Sequence, residues 1–311
     1  MSLGRCCRLL GVTRQAYYQH FWDYEEDSLS SDLIIQEVKS IRFLHPVIGV
    51  RKLYVMLQSF LLEHQIKIGR DALFDLLAAH KLLVRKRKRS IRTTNSNHWL
   101  RKYPNLIVDM VPCRANELWV ADITYFKVGQ KHVYISFITD AYSKKIVGYN
   151  VANTLETVSS VQALEMAIKQ NEGKLQGLIH HSDRGVQYCA NEYTRVLLKH
   201  HIHISMTENS DPRENAIAER INGIMKEEYL NHYILKNCKE VQKQLEQAVI
   251  LYNSQRPHMS CNMITPNIIH ENNIKTQKLW KNYYQQKTII VNPLLHSFPT
   301  RRSSDLGRAS C

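Results

Sequence analysis

Three runs rich in branched and aromatic residues, ELWVADITYFKV, KHVYISFITDAY and KKIVGYNVAN, follow one another between residues 117 and 153 with only short turns between them. A parallel crossover needs a dozen or more residues, usually a helix, so strands this closely spaced can pair only as an antiparallel meander. One of the turns is Val128-Gly129-Gln130. Downstream the pattern alternates. A helical segment, ETVSSVQALEMAIKQ, precedes the apolar run GLIHHS, and a second, NEYTRVLLKHH, precedes IHISMT. Two longer helices are expected at about 214–230 and 238–253. A meander followed by helix–strand alternation predicts an α/β unit built on a mixed five-stranded sheet with flanking helices.

The first third of the chain has a different character. GRCCRLLGVTRQAYYQHF reads as a short helix, a turn at Gly11 and a helix capped by Thr13, the outline of a helix-turn-helix. Acidic residues at 23–27 and SLSS at 28–31 suggest a linker. Three helical stretches follow, LIIQEVKSIRFL, GVRKLYVMLQSFL and GRDALFDLLAAHKLL, the last with Ala72, Leu73, Leu76 and Leu77 on one stripe. VRKRKRSIR comes next. It places Arg85, Lys86, Arg87, Lys88 and Arg89 in direct succession. Residues 1–116 carry 19 Lys and Arg against 10 Asp and Glu, whereas residues 117–311 carry 23 against 18, within a total net charge of +14. Basic excess concentrated beside helical units points to a polyanionic partner, because clustered cations neutralise phosphates and release counterions.

The expected organisation is a helix-turn-helix segment at 1–27, a second all-α DNA-binding unit with its basic run at 32–92, a linker at 93–115, the α/β core at 116–270 and an extension at 271–296. No run of about 18 apolar residues suggests a membrane span, and MSLGRCCRLLGV lacks a secretory segment, so a cytoplasmic protein is expected. Seven cysteines, irregularly spaced and without a C-x-x-C pair, suggest free thiols rather than disulfides or structural zinc.

Acids stand out in the α/β region. Asp122 lies inside the first strand, in WVADITY, and Asp183 ends the fourth, in LIHHSDRGVQY. Neighbouring strands run about 4.8 Å apart, so these two can meet. Glu219 lies on the helix ENAIAERINGIMKEEYL. There Ile217, Ile221 and Ile224 make an apolar stripe, and Asn215, Glu219, Asn222, Gly223 and Lys226 make a polar one. Seven residues fall about 20° short of two turns, so Glu219 and Lys226 share a face.

These motifs, with HPVIGVRKLYVML, GVTRQAYYQH and YNSQRPHMSCNMITP, resemble the DDE transposases of the insertion-sequence-three family, OrfB-type proteins with a retroviral-integrase catalytic core. The resemblance covers roughly residues 8–270. It rests on 60 residues between Asp122 and Asp183, 35 between Asp183 and Glu219, and a basic residue seven after the glutamate. It implies an RNase H-like fold and a Mg²⁺- or Mn²⁺-dependent polynucleotidyl transferase that binds insertion-sequence ends and performs strand cleavage and transfer, as DNA integration and recombination. It also implies that Asp122 bridges two ions, that Asp183 and Glu219 hold one each, and that Lys226 touches a DNA phosphate. Three carboxylates brought together repel, and hard oxygen donors suit such cations. A homo-oligomer on DNA near the nucleoid, an upstream-frame OrfA partner or fusion, and Met1 as an internal start are further implications. Where the family often has Gly-Asn-Pro-Tyr-Asp-Asn-Ala before the glutamate, this chain has Ser210-Asp-Pro-Arg-Glu-Asn-Ala216.

Other residues receive simpler readings. Asp140, before a turn, suits backbone capping. Glu208, Glu214, Glu227 and Glu228 are expected to face solvent or lie in loops, and Trp119 and Tyr125 to lie in the core. His181 is read as a packed neighbour of Asp183, and Arg184 fits either a phosphate contact or an ion pair. Alternative functions are an RNase H-like nuclease and a catalytically silent DNA-binding regulator. Residues 297–306, SFPTRRSSDL, look like a translated sequencing adapter, so 297–311 is expected to be a non-native tail.

Overall fold

A computed structural model describes residues 3–84, 100–108, 110–208 and 215–275, with backbone alone at 20–28. The basic run at 85–92, the loop at 209–214 and everything past 275, including most of the expected extension and the whole tail, lie outside the described residues.

The amino-terminal helices are α1 (Leu3–Leu9), α2 (Arg14–Leu44), α3 (Val50–Met56), α4 (Gln58–Glu63) and α5 (Arg70–Ala79). Gly11 turns between α1 and α2 at φ +68°, and the Thr13 hydroxyl caps α2 by accepting from the Ala16 amide at 3.0 Å. The linker expected at 23–31 is absent, because α2 continues through it as one helix of 31 residues. Between Arg14 and Leu44 there is neither glycine nor proline to stop a helix, and acidic and serine residues alone do not. The helix ends one residue before His45-Pro46, where the residue preceding proline is driven out of helical geometry. Ile34, Ile35 and Val38 then pack with Leu53, Leu57, Leu61, Leu73 and Leu77 as a separate small core. Of the stripe expected on α5, Leu73 and Leu77 are fully buried, Leu76 is half-buried and Ala72 is exposed.

Strands β1 (Leu118–Val128), β2 (Lys131–Asp140) and β3 (Ile146–Ala152) form the meander, with Gly129 at φ +60° in its first turn. Helix α6 (Thr157–Gln170) leads to β4 (Ile179–Ser182), then α7 (Val186–Cys189), α8 (Asn191–Lys199) and β5 (His203–Met206). The sheet order is β3-β2-β1-β4-β5, antiparallel through the meander and parallel from β1 to β5. Side chains alternate across the sheet. Phe126, Val128, Val133, Ile135 and Phe137 pack on one face against α9 (Ala216–Ile224) and α10 (Cys238–Ser254). Trp119, Ala121 and Ile138 pack on the other, against α6 and α8. Each large apolar side chain so buried contributes about 1.5–3 kcal/mol. Gly148 permits the close seating of α6 on β3, since a Cβ there would overlap the Ala163 carbonyl.

The helix expected to run unbroken to about residue 230 changes winding instead. After α9 the chain takes a π-helical turn over Met225–Tyr229 and a 3-10 turn over Leu230–His232. Helix α11 (Pro266–Asn272) closes the described chain. No helix among the described residues is long and apolar enough to cross a membrane.

Candidate active site

The parallel pairing of β1 with β4 aligns Trp119 with His180 and Val120 with His181. Continued by two residues, that register sets Asp122 beside Asp183, where β4 stops. The two histidines before Asp183 stay inside. His180 shares a 2.9 Å hydrogen bond with the Tyr193 hydroxyl, and burial pushes its pKa down to about 3. His181 shares one of 2.8 Å with the Ser205 hydroxyl and is fully buried, the packed neighbour expected. Asp183 is therefore the first polar side chain to emerge from the strand. Its Oδ1 accepts from the Gly185 amide at 3.0 Å.

Asp122 shares its parity on β1 with Leu118 and Val120, which pack against Ala218 of α9. Its Oδ1 accepts from the Ile123 amide at 2.9 Å and its Oδ2 from Asn222 Nδ2 at 2.7 Å. The polar stripe of the helix lies along the strand. Asn215 Nδ2 donates to the Ala121 carbonyl at 2.9 Å, Asn222 to Asp122, and Lys226 Nζ to the Thr124 hydroxyl at 2.7 Å. Glu219 stands between Asn215 and Asn222 on this helix and is half-buried. Lys226 also lies 5.3 Å from the Tyr125 ring centroid. Burial lowers its pKa below the usual lysine value, while Asp122 and Glu227 pull it back up.

A cleft of about 690 Å³ opens at this end of the sheet, with Asp122, Thr124, Tyr125, Asp183, Gly185 and Tyr188 in its walls. The Tyr188 hydroxyl is buried without a hydrogen-bond partner among the described residues. Burial first, then Tyr193, Asp122 and Asp183, push this phenol well above the ordinary tyrosine value. Among the described residues no three His, Cys, Asp or Glu side chains already stand close enough to form a metal cage. The structure therefore brings Asp122 and Asp183 into one cleft and ties the Glu219 helix to the same strand, but does not draw the third carboxylate into a ready-made trio.

The chain matches the integrase core domain over residues 112–212, and a second integrase core domain family over 200–266. It is 33% identical over 270 residues to the insertion element IS600 uncharacterized 31 kDa protein of Shigella sonnei, covering 85% of this chain and 97% of that one. It is 34% identical over 212 residues to the transposase for insertion sequence element IS629 of Shigella sonnei, covering 68% and 70%. It is 25% identical over 174 residues to the transposase InsF for insertion sequence IS3A of Escherichia coli, covering 53% and 58%. The chain belongs to the insertion-sequence-three family of transposases. It is an OrfB-type DDE transposase, a polynucleotidyl transferase that acts on DNA, and its five-stranded mixed sheet lies within the span matched to the integrase core domain.

Tyr125 and Glu228 of the transposase differ from their expected places, and Trp119 and Asp140 keep theirs. Tyr125 is not core; it is 42% exposed on the cleft wall, in edge contact with His132 at 5.6 Å between centroids. Glu228 is not solvent-facing, because Arg256 and Lys52 hold it at a buried seam. Trp119 is fully buried, its Nε1 donating to Asn116 Oδ1 at 3.0 Å. Asp140 caps a turn: it is fully buried and accepts from the Asn116 amide, the Ser143 amide and the Ser143 hydroxyl at 2.8, 2.7 and 2.6 Å. Arg184 Nη1 donates to the Glu208 carbonyl at 3.1 Å. Arg85 to Arg89 fall outside the described residues. Tyr188 has no sequence reading of its own. Its place three residues after Arg184-Gly185, on a helix of four residues, was the available signal.

Proposed function

We propose that Asp122, Asp183 and Glu219 are the catalytic carboxylates of this transposase and the ligands of two Mg²⁺ or Mn²⁺ ions. The observation that carries this reading is the β1–β4 register, which sets two acids with 60 residues between them on one cleft wall. The donor set fits the cations. The cleft offers carboxylate oxygens beside a buried hydroxyl, and hard oxygen donors suit Mg²⁺. Mutual repulsion keeps such acids from assembling by themselves, and positive charge between them offsets it. When bound, the two cations would activate the attacking water or DNA 3′-hydroxyl and stabilise the leaving oxygen.

The chain's own groups orient the acids. Asn222 and the Ile123 amide hold both oxygens of Asp122, and the Gly185 amide fixes one oxygen of Asp183. Such fixed donors hold a carboxylate in one rotamer before substrate arrives. Lys226, bonded to Thr124 beside Asp122, supplies the positive charge for a phosphate of the transposon end. Arg184 and the run from Arg85 to Arg89 supply further phosphate contacts, and the helical region binds the terminal inverted repeats before the core cuts and joins target DNA. The transposase acts as a homo-oligomer on DNA at the nucleoid, with an upstream-frame OrfA protein as partner or fused segment.

The test is Asp183→Asn in the full chain. End binding is expected to persist while Mg²⁺-dependent nicking disappears. Normal strand transfer by that variant would overturn the assignment.

A further inference from the structure

Two motifs singled out in the sequence, HPVIGVRKLYVML and YNSQRPHMSCNMITP, lie far from the cleft acids in the chain and take no part in holding them. In the structure they meet. Two clusters of three side chains each lie at the seam between the helical region and the core, and the contacts of Lys52 and His45 cross it. In the first, Glu228 accepts from Arg256 Nε and Nη2 at 2.7 Å each, and Lys52 Nζ lies 3.4 Å from the same carboxylate. In the second, His45 Nδ1 is 3.0 Å from the Tyr229 hydroxyl, and its Nε2 is 3.4 Å from Gln255 Oε1.

The pattern is ordered. His45 and Lys52 come from the helical region, where His45 closes α2. Glu228 and Tyr229 are consecutive in the π-helical turn, and Gln255 and Arg256 are consecutive just past α10. Each helical-region residue is bonded to the π-turn, and His45 also reaches Gln255. Arg256 is 1% exposed, and the Lys52 and Glu228 side chains are 12% and 16% exposed. Within the core, the planar Arg256 guanidinium makes two parallel bonds to Glu228 and fixes that carboxylate. Lys52 and His45, reaching across from the helical region, therefore meet partners that are already held in place.

The π-turn is the continuation of α9. Glu219 and Lys226 therefore ride on the same stretch of chain that receives both bridges, Lys226 two residues before Glu228. We infer that Lys52 and His45 are positioning residues. Through Glu228 and Tyr229 they lock the helical region to the catalytic helix, so that the distance from the recognised repeat to the cut phosphodiester is set by one rigid joint. This rests on the reading above in which the helical region binds element ends and Glu219 serves the chemistry. On this view HPVIGVRKL contributes docking residues to the core, not contacts to DNA.

The experiment opens the joint from the helical side and leaves the Glu228–Arg256 pair in place. Full-length His45→Phe/Lys52→Gln, Lys52→Gln alone and Lys52→Arg are compared with the parent chain. A DNA duplex carrying one labelled element end is used with Mg²⁺, and cut positions are mapped to the nucleotide. Expected for the double variant are end affinity within about threefold of the parent, cleavage at least tenfold lower, and residual cuts spread over several nucleotides. Lys52→Gln should show the same spread more weakly, and Lys52→Arg should keep a single position. Loss of folding alone lowers yield without moving the cut. A single cut position at the parental rate in the double variant would overturn the inference, as would loss of end binding, which would make the seam part of DNA recognition. Failure of the parent chain to bind ends through its helical region would instead sink the proposed function.

Discussion

Replacing Glu228 by glutamine tests how much the seam contributes to folding. Glu228→Gln keeps the shape and removes the charge, leaving the Arg256 guanidinium, 1% exposed, with no counter-charge. Removing one partner of a buried pair typically costs about 3–5 kcal/mol. Proton linkage gives an independent figure. Burial by itself would raise the Glu228 carboxyl, but the Arg256 bonds and the charges of Arg256, Lys52 and Arg220 outweigh burial and hold it down to about 2, against an ordinary 4.5. At about 1.4 kcal/mol for each pH unit of that gap, the carboxylate contributes about 3 kcal/mol. Its folded value is depressed, so the contribution is fully present above about pH 4.5 and is lost as pH falls towards 2. Urea denaturation at pH 7 should show the variant less stable by about 3 kcal/mol, with Tm lower by roughly 6 °C for a chain of this length. Repeated from pH 7 to pH 3, the gap between parent and variant should narrow below about pH 4.5, as the carboxylate takes up its proton in the unfolded parent while the folded one still holds it ionised. Equal stability at pH 7, or a gap that stays constant into acid, would refute the account of Glu228 as a buried charge partner.

Two further outcomes follow from the geometry and a third from the sequence. Asp140→Asn keeps one acceptor oxygen and turns the other into a donor, so either the Asn116 amide on Oδ2 or the Ser143 amide and hydroxyl on Oδ1 lose their acceptor; stability should fall by about 2–4 kcal/mol in the same denaturation assay, with DNA end binding by surviving folded protein unchanged. Asn222→Ala frees Asp122 Oδ2 from its 2.7 Å donor; nicking should fall about 10- to 100-fold at constant end affinity, and an unaltered rate would remove Asn222 from the orienting set. Neutralising Arg85, Lys86, Arg87, Lys88 and Arg89 together should flatten the plot of log affinity against log salt by up to about 4.5, and an unchanged slope would take that run out of the interface.

The sheet was legible because its signals are local. Branched and aromatic runs spaced by short turns leave only a meander, and helix–strand alternation leaves only parallel additions. Asp122 and Asp183 could be paired from strand positions, and the polar face of Asn215, Asn222 and Lys226 from helical periodicity, since both depend on repeats of a few residues. The 23–31 linker failed for a related reason. Acidic and serine residues are as compatible with a long exposed helix as with a linker, and only a glycine or proline would have decided the matter locally.

Glu228 marks the other limit. On the sequence it is one of two adjacent glutamates near a helix end, with nothing to distinguish it from Glu227. Only when the chain closes do Lys52, 176 residues earlier, and Arg256, 28 residues later, arrive at the same carboxylate and make it a buried joint. Tyr125 shows the converse, a strand aromatic left 42% exposed on a cleft wall while its neighbour Phe126 is buried under the helices on the other face of the sheet. Pattern along the chain specifies which elements form and which face of each is apolar, because those properties follow from periodicity. Which charges meet across a seam, and which aromatic stays uncovered, follows from distances that exist only after the elements have packed.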